Sequence, residues 1–134
     1  MKLKKNCYAV NSYNQAFQVI SICNEIKIIP ILFIKYFLIN GFGIYWLTEL
    51  NRLLIQKFKS NKFKIYVDIG KNYGMCIDLI ENNIQFIKVE ADTETLKKLK
   101  QIAKINKVLL NPKFSIVDLS KTKNIKVKIQ KNII

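Results

Sequence analysis

Residues 63–74 read FKIYVDIGKNYG, and this stretch decides how the rest of the chain is interpreted. Its first part is rich in β-branched and aromatic residues, which is typical of a strand. Gly70 and Gly74, two of the four glycines in the chain, then follow directly. A strand that ends in a glycine-containing turn and leads into a helix favours binding of an anion or a nucleotide, because the N–H groups of the helix N-terminus face the ligand. The dinucleotide motif GxGxxG is absent, so the glycines alone are a weak signal.

Strands and helices alternate along the second half of the chain. Periodicity and composition predict strands at 63–69, 84–91, 113–120 and 124–130, with helices at 72–82 and 92–106. This β-α-β-α-β-β order predicts an α/β fold with a mostly parallel, partial Rossmann-like sheet.

The first half of the chain reads as helical. Apolar residues at helical spacing follow Ser12, a predicted helix cap, and residues 28–47 are the most apolar stretch. That stretch has the length of a membrane span, but Lys35 near its centre makes insertion marginal. We therefore expect a helical region, 1–60, with a helical hairpin broken at 40–43 that covers one face of the sheet domain, 61–134. Contact with a membrane surface is the alternative.

Acidic residues end three successive predicted strands. Asp68, Glu90 and Asp118 occupy these positions, and Glu90 lies twenty residues after Gly70. A carboxylate at the end of the second strand can accept hydrogen bonds from the hydroxyl groups of a ribose. Because the carboxyl ends of parallel strands meet at one edge of a sheet, these residues predict a cradle for an adenosine-containing ligand.

Three segments of this half resemble the front half of FkbM-type S-adenosylmethionine-dependent methyltransferases. They are YVDIGKNYG, IKVEADTETLKKLKQIAKIN and FSIVDLSKTKNIKVKI, and the resemblance covers about residues 63–130. The family shows strands ending in D-x-G-A-N-x-G, in F-E-P-D-P and near L-S-D. The positions that match are Asp68, Gly70, Asn72, Gly74, Glu90, Asp92, Leu99, Asn106, Leu119 and Ser120.

The resemblance implies that the cofactor is S-adenosylmethionine. Gly70, Asn72 and Gly74 would line its methionine part, Asp68 would lie near its amino group, and Glu90 would contact its ribose. It implies a partial Rossmann-like methyltransferase sheet and methyl transfer as the activity, while the methyl acceptor and the catalytic residues are not indicated.

The chain departs from the family at several points. Asp118 would contact the adenine, although the family does not regularly place an acid there. Lys71 replaces the usual Ala, and Ala91 replaces Pro. The segments that form the second half of the family's sheet are missing, so the strand 64–70 is expected to be an edge. The helical region, a second copy of the chain or a separate completing chain would then have to cover that edge.

Composition limits the other functions. The formal net charge is +14, but Arg52 is the only arginine, and the abundance of Lys, Asn, Ile, Phe and Tyr fits A/T-rich codons. This argues against nucleic acid as the partner. The chain has no His, and its three cysteines lack metal-site spacing, so we expect no metal and reduced thiols in a cytoplasm. The alternatives are a non-enzymatic basic module that binds a membrane surface or nucleic acid through Lys-rich faces at 97–107 and 121–131, or the remnant of a decayed gene.

Overall fold

The computed structural model describes residues 6–119 and 121–133, which form a parallel sheet of six strands and five α-helices. The α/β fold class predicted from the sequence is confirmed. The elements are β1 (Cys7–Ala9), α1 (Tyr13–Glu25), β2 (Ile31–Ile34), α2 (Tyr36–Phe58), β3 (Lys64–Gly70), α3 (Tyr73–Glu81), β4 (Phe86–Val89), α4 (Thr93–Ile105), β5 (Leu109–Leu110), β6 (Ile116–Asp118) and α5 (Ile125–Ile133). Ser120, one of the residues matched to the family, lies outside the described residues.

The helices form one layer on one face of the sheet. The strand order is β5-β4-β3-β2-β1-β6, so each strand from β1 to β5 lies beside its predecessor. Right-handed crossovers that step repeatedly in one direction place their helices on the same face. Buried residues of every helix accordingly share one apolar cluster with the sheet, among them Val19, Leu54, Leu79, Leu99 and Ile129.

The opposite face of the sheet, here called the helix-free face, has its own buried cluster. Among the described residues this cluster contains no helix residue; its members are Cys7, Ala9, Ile31, Phe33 and Tyr66, with Phe86 and Phe114 packed against them. Phe114 belongs to the segment 111–115, here called the strap, which connects β5 to β6 at opposite edges of the sheet.

The strap forces the sheet to curve. Its six Cα-to-Cα steps from Leu110 to Ile116 span at most about 20 Å. In a flat sheet the five strand spacings between β5 and β6 would add up to about 24 Å. The sheet must therefore be concave toward the helix-free face. Phe114 fills this concavity, with ring centroids 4.9 Å from Phe86 and 5.9 Å from Tyr66.

The prediction of a purely helical region at 1–60 is wrong, because β1 and β2 lie within it. Both strands are fully buried runs of three and four residues, too short and too uniformly apolar to be distinguished from a helix by periodicity. β2 pairs in parallel with β3, and Ile31 lies opposite Lys64. The strand 64–70 is therefore inside the sheet and not at an edge. Pairing with a second copy or with a completing chain stays a prediction. Its original reason, an exposed edge at β3, does not apply, because β3 pairs with β2 and β4.

The predicted strand 124–130 is also wrong, since this segment belongs to α5. Ile125 and Ile129, four residues apart, are buried in the main core, whereas Val127 between them is 43% exposed. Apolar residues at 125, 127 and 129 fit the two-residue period of a strand, and those at 125 and 129 also fit the spacing of a helix. Packing of α5 beside α1 selects the helix. The predicted strand 113–120 is confirmed over Ile116–Asp118, but it pairs with β1.

Residues 28–47 divide between β2 and the beginning of α2. The helix break expected at 40–43 lies at Gly43, where φ is +84° and two helical parts of α2 meet, but β2 takes the place of the first half of the expected hairpin. Within the described residues, no helix combines the length and the apolar character that crossing a bilayer requires.

The three cysteines are buried and should be unreactive in the folded chain. Burial raises the pKa of Cys7 to about 12 and those of Cys23 and Cys76 to about 11, from an ordinary value of 9.0. We expect a thiol reagent at pH 8 to label none of them until urea unfolds the chain. Burial should likewise stabilise the fold fully below pH 9, and this contribution should be lost as the pH rises toward 11–12. Rapid labelling of Cys76 without denaturant would instead show that the N-terminus of α3 activates it.

Candidate ligand-binding site at the carboxyl ends of strands β3 and β4

The turn between β3 and α3 is held by its own polar side chains. Gly70 adopts a φ of +59°, which glycine tolerates better than other residues, and its N–H donates to Asp68 Oδ1 at 3.0 Å. The N–H of Asn72 donates to the carbonyl of Ile69 at 3.0 Å. Asn72 Oδ1 then accepts from the N–H of Met75 at 3.1 Å and caps α3. The sequence DIGKN therefore fixes the direction in which the chain leaves the sheet.

The ends of β3 and β4 are joined directly through their backbones. The N–H of Glu90 donates to the carbonyl of Gly70 at 2.8 Å, and Tyr73 Oη donates to the carbonyl of Glu90 at 3.1 Å. The predicted parallel pairing and the predicted proximity of Gly70 and Glu90 are both confirmed. The Glu90 side chain itself is 77% exposed, and Lys71 Nζ lies 4.0 Å from its Oε1. An ion pair this long and exposed contributes little, so the carboxylate is available to a ligand.

A cavity of about 770 Å³ opens beside this junction. It is lined by Tyr36, Tyr66, Asp68, Gly70, Lys71, Lys88, Val89, Glu90, Asn111 and Pro112. Side chains alternate along a strand, so Tyr66, Asp68 and Lys88 share the helix-free face. The first two strap residues provide the remaining wall. The cavity therefore extends from the carboxyl ends of the strands onto the concave face of the sheet.

Only part of the predicted site is brought together. Asp68, Gly70 and Glu90 line the cavity, whereas Asn72 and Gly74 are exposed at the start of α3 and are not among its lining residues. Asp118 ends β6, which β2 and β1 separate from β3. Its Oδ2 lies 2.6 Å from Lys35 Nζ, with the Asp118 side chain 54% exposed. Asp118 therefore does not share a site with Asp68 and Glu90.

Sequence reasoning missed four lining residues that carry polar groups, Tyr36, Tyr66, Lys88 and Asn111, and it named Lys71 only as a departure from the family. Asn111 Oδ1 accepts from the N–H of Val89 at 2.8 Å, and its own N–H donates to the carbonyl of Ile87 at 2.7 Å. The dipeptide Asn-Pro at 111–112 was a turn signal that could have indicated this residue.

Tyr36 covers the glycine turn. A Cβ atom built on Gly70 would lie 2.9 Å from Tyr36 Cε1. Tyr36 is the first residue of α2, directly after β2, so its position could not be inferred while β2 was read as helical. A ligand therefore reaches the cavity past the Tyr36 ring or from the strap side.

The charges of the cavity are balanced. Asp68 and Glu90 offer carboxylate oxygens that accept hydrogen bonds from hydroxyl or ammonium groups, and Lys71 and Lys88 offer ammonium groups for a carboxylate or a phosphate. This set suits a polar ligand that itself carries both charges. Among the described residues, no group of three or more His, Cys, Asp or Glu could hold a metal ion.

Comparison of the chain with models of protein families and with curated proteins found no match. The function is therefore inferred from the site and from the sequence motifs.

Proposed function

We propose that the chain binds S-adenosylmethionine in the cavity at the ends of β3 and β4, in the manner of FkbM-type methyltransferases. The observation that carries this proposal is the 2.8 Å hydrogen bond that joins Glu90 to Gly70, with Asp68 beside them at one cavity. A volume of about 770 Å³ lies within the range of small-molecule sites.

The lining residues fit the chemistry of this cofactor. The exposed Glu90 carboxylate can accept hydrogen bonds from both ribose hydroxyls. Asp68 is placed to attract the cationic amino or sulfonium group, and Lys71 or Lys88 to pair with the carboxylate of the methionine part. Bound there, the cofactor supplies an electrophilic methyl group. Transfer of that group depends on in-line positioning of the acceptor more than on a strong base, so the absence of His is compatible with it.

Binding should depend on Glu90. We expect S-adenosylhomocysteine to raise the thermal unfolding temperature of the wild type and to give a calorimetric binding isotherm. Glu90→Ala should weaken this binding roughly tenfold or more, because a hydrogen bond to a charged group contributes about 1.5–3 kcal/mol. Glu81→Ala is the matched control. Glu81 is an exposed residue at the C-terminal end of α3, the end opposite the turn, and does not line the cavity, so its loss should leave the affinity unchanged.

Two results would contradict the proposal. A folded wild type that shows neither a thermal shift nor heat of binding would remove the cofactor from this chain. Equal weakening by Glu81→Ala and Glu90→Ala would show that the effect arises from net charge and not from the cavity.

A further inference from the structure

The beginning of α2 exposes a group of aromatic side chains. Phe37 is 61% exposed, Phe42 62% and Tyr45 86%, and the half-buried Trp46 lies 5.4 Å from Phe42 between ring centroids. These four residues are here called the aromatic surface. They lie within ten positions of the sequence, and large exposed hydrophobic side chains concentrated in this way favour a binding surface.

A break in the helical backbone of α2 lies within the aromatic surface. Gly43, with φ +84°, interrupts the helix between Phe42 and Tyr45. A Cβ atom built on Gly41 or Gly43 would have no atom within 4 Å, so the space around both glycines is open. The opposite side of the helix packs into the core through Ile39 and Leu47, each fully buried. The segment is thus anchored in the core, against which Trp46 also packs, whereas Phe37, Phe42 and Tyr45 are largely exposed.

Charge favours an anionic partner for this surface. Residues 26–48 contain Lys27 and Lys35 and no Asp or Glu, but Glu25 and Glu49 flank them and Lys35 pairs with Asp118 at 2.6 Å. The attraction to an anionic partner therefore comes from the net charge of the whole chain. The Lys35 ammonium lies 6.0 Å from the centre of the Phe37 ring. The whole chain carries a formal charge of +14, which attracts it to a negatively charged surface.

We propose that the aromatic surface docks on an anionic phospholipid bilayer and anchors the chain in its interfacial layer. Tyr and Trp rings favour this layer because they combine an apolar body with a polar group, and exposed Phe inserts beside them. The helix lies on the bilayer and does not cross it, in agreement with the fold. This inference is independent of cofactor binding.

Trp46 makes the proposal directly measurable, because it is the only tryptophan of the chain. The wild type should co-sediment with vesicles of phosphatidylcholine and phosphatidylserine in roughly equal amounts, and Trp46 emission should shift to the blue. Raising the salt concentration should weaken binding. The triple variant Phe37→Ser, Phe42→Ser, Tyr45→Ser should bind roughly tenfold more weakly or worse. Ile105→Ser, at an 82% exposed position on α4, is the control and should bind like the wild type.

Three results would overturn the proposal, provided that circular dichroism shows each variant folded. The first is a wild type that neither co-sediments nor shifts its emission. The second is a triple variant that binds as well as the wild type. The third is a dimer in sedimentation velocity that the triple variant abolishes, since this would assign the aromatic surface to a second copy of the chain.

Discussion

Replacing Gly70 by alanine should destabilise the folded chain by about 2 kcal/mol, because the position is strained for any side chain. Its φ of +59° disfavours L-residues other than glycine, and the new Cβ would lie 2.9 Å from Tyr36 Cε1. Urea unfolding followed by circular dichroism and by Trp46 fluorescence would measure the change. A lower urea midpoint with an unchanged slope is the expected result.

Gly74→Ala is the natural control, since the two glycines belong to the same turn and helix. Gly74 lies in α3, and its new Cβ would meet nothing closer than Asn72 Oδ1 at 3.8 Å. Alanine should therefore stabilise the chain, by up to about 1 kcal/mol, through its helix propensity. Equal effects of the two substitutions would contradict the geometry of the turn.

The Tyr36→Ala background separates the two sources of strain at Gly70. Removing the ring relieves the close contact but not the unfavourable φ. In the Tyr36→Ala background, Gly70→Ala should therefore lower the free energy of unfolding by about 1 kcal/mol. A penalty that is unchanged by Tyr36→Ala would mean that the ring moves aside freely.

The same set of variants tests the cofactor's position. The resemblance to methyltransferases places Gly74 against the methionine part, whereas the cavity does not include Gly74, so Gly74→Ala should retain binding of S-adenosylhomocysteine.

The unit from β3 to α4 could be predicted because its local signals agree with its tertiary role. Asp92 caps α4 by accepting a hydrogen bond from the N–H of Thr95 at 2.7 Å, and hydrogen bonding to Thr95 lowers the Asp92 pKa. Leu99 of the predicted helix 92–106 is buried. Strand propensity, caps and helical spacing all favoured one structure here, so tertiary packing had nothing to override.

The sheet beyond this unit could not be predicted, since its strands are too short to show a pattern. β1 and β5 have three and two residues, and their pairing depends on neighbours far away in sequence.

The site, too, could be predicted only where it depends on the unit from β3 to α4. Asp68, Gly70 and Glu90 follow from the β3–β4 pairing. Tyr36 and Asn111 depend on where β2 and the strap lie, and Asp118 was misplaced because β6 pairs with β1.

A substitution in the strap should destabilise the fold more than Gly70→Ala does. Phe114→Ala removes the ring that packs edge-on against both Phe86 and Tyr66, with interplanar angles of 85° and 80°. We expect a loss of about 3 kcal/mol in the free energy of unfolding, at the lower end of the range for Phe→Ala, because Phe114 is half-buried. The same strap supplies Asn111 and Pro112 to the cavity, so ligand affinity should fall as well.

Phe42→Ala is the matched control for this substitution. It removes the same type of ring from a 62% exposed position, where the ring lies beside that of Trp46. The substitution should therefore change the free energy of unfolding by about 0.5 kcal/mol or less. Equal stability of the Phe42→Ala and Phe114→Ala variants would show that the strap does not close the helix-free face. The curvature would then depend on the length of the strap alone, and packing of Phe114 would not help to hold Asn111 and Pro112 at the cavity.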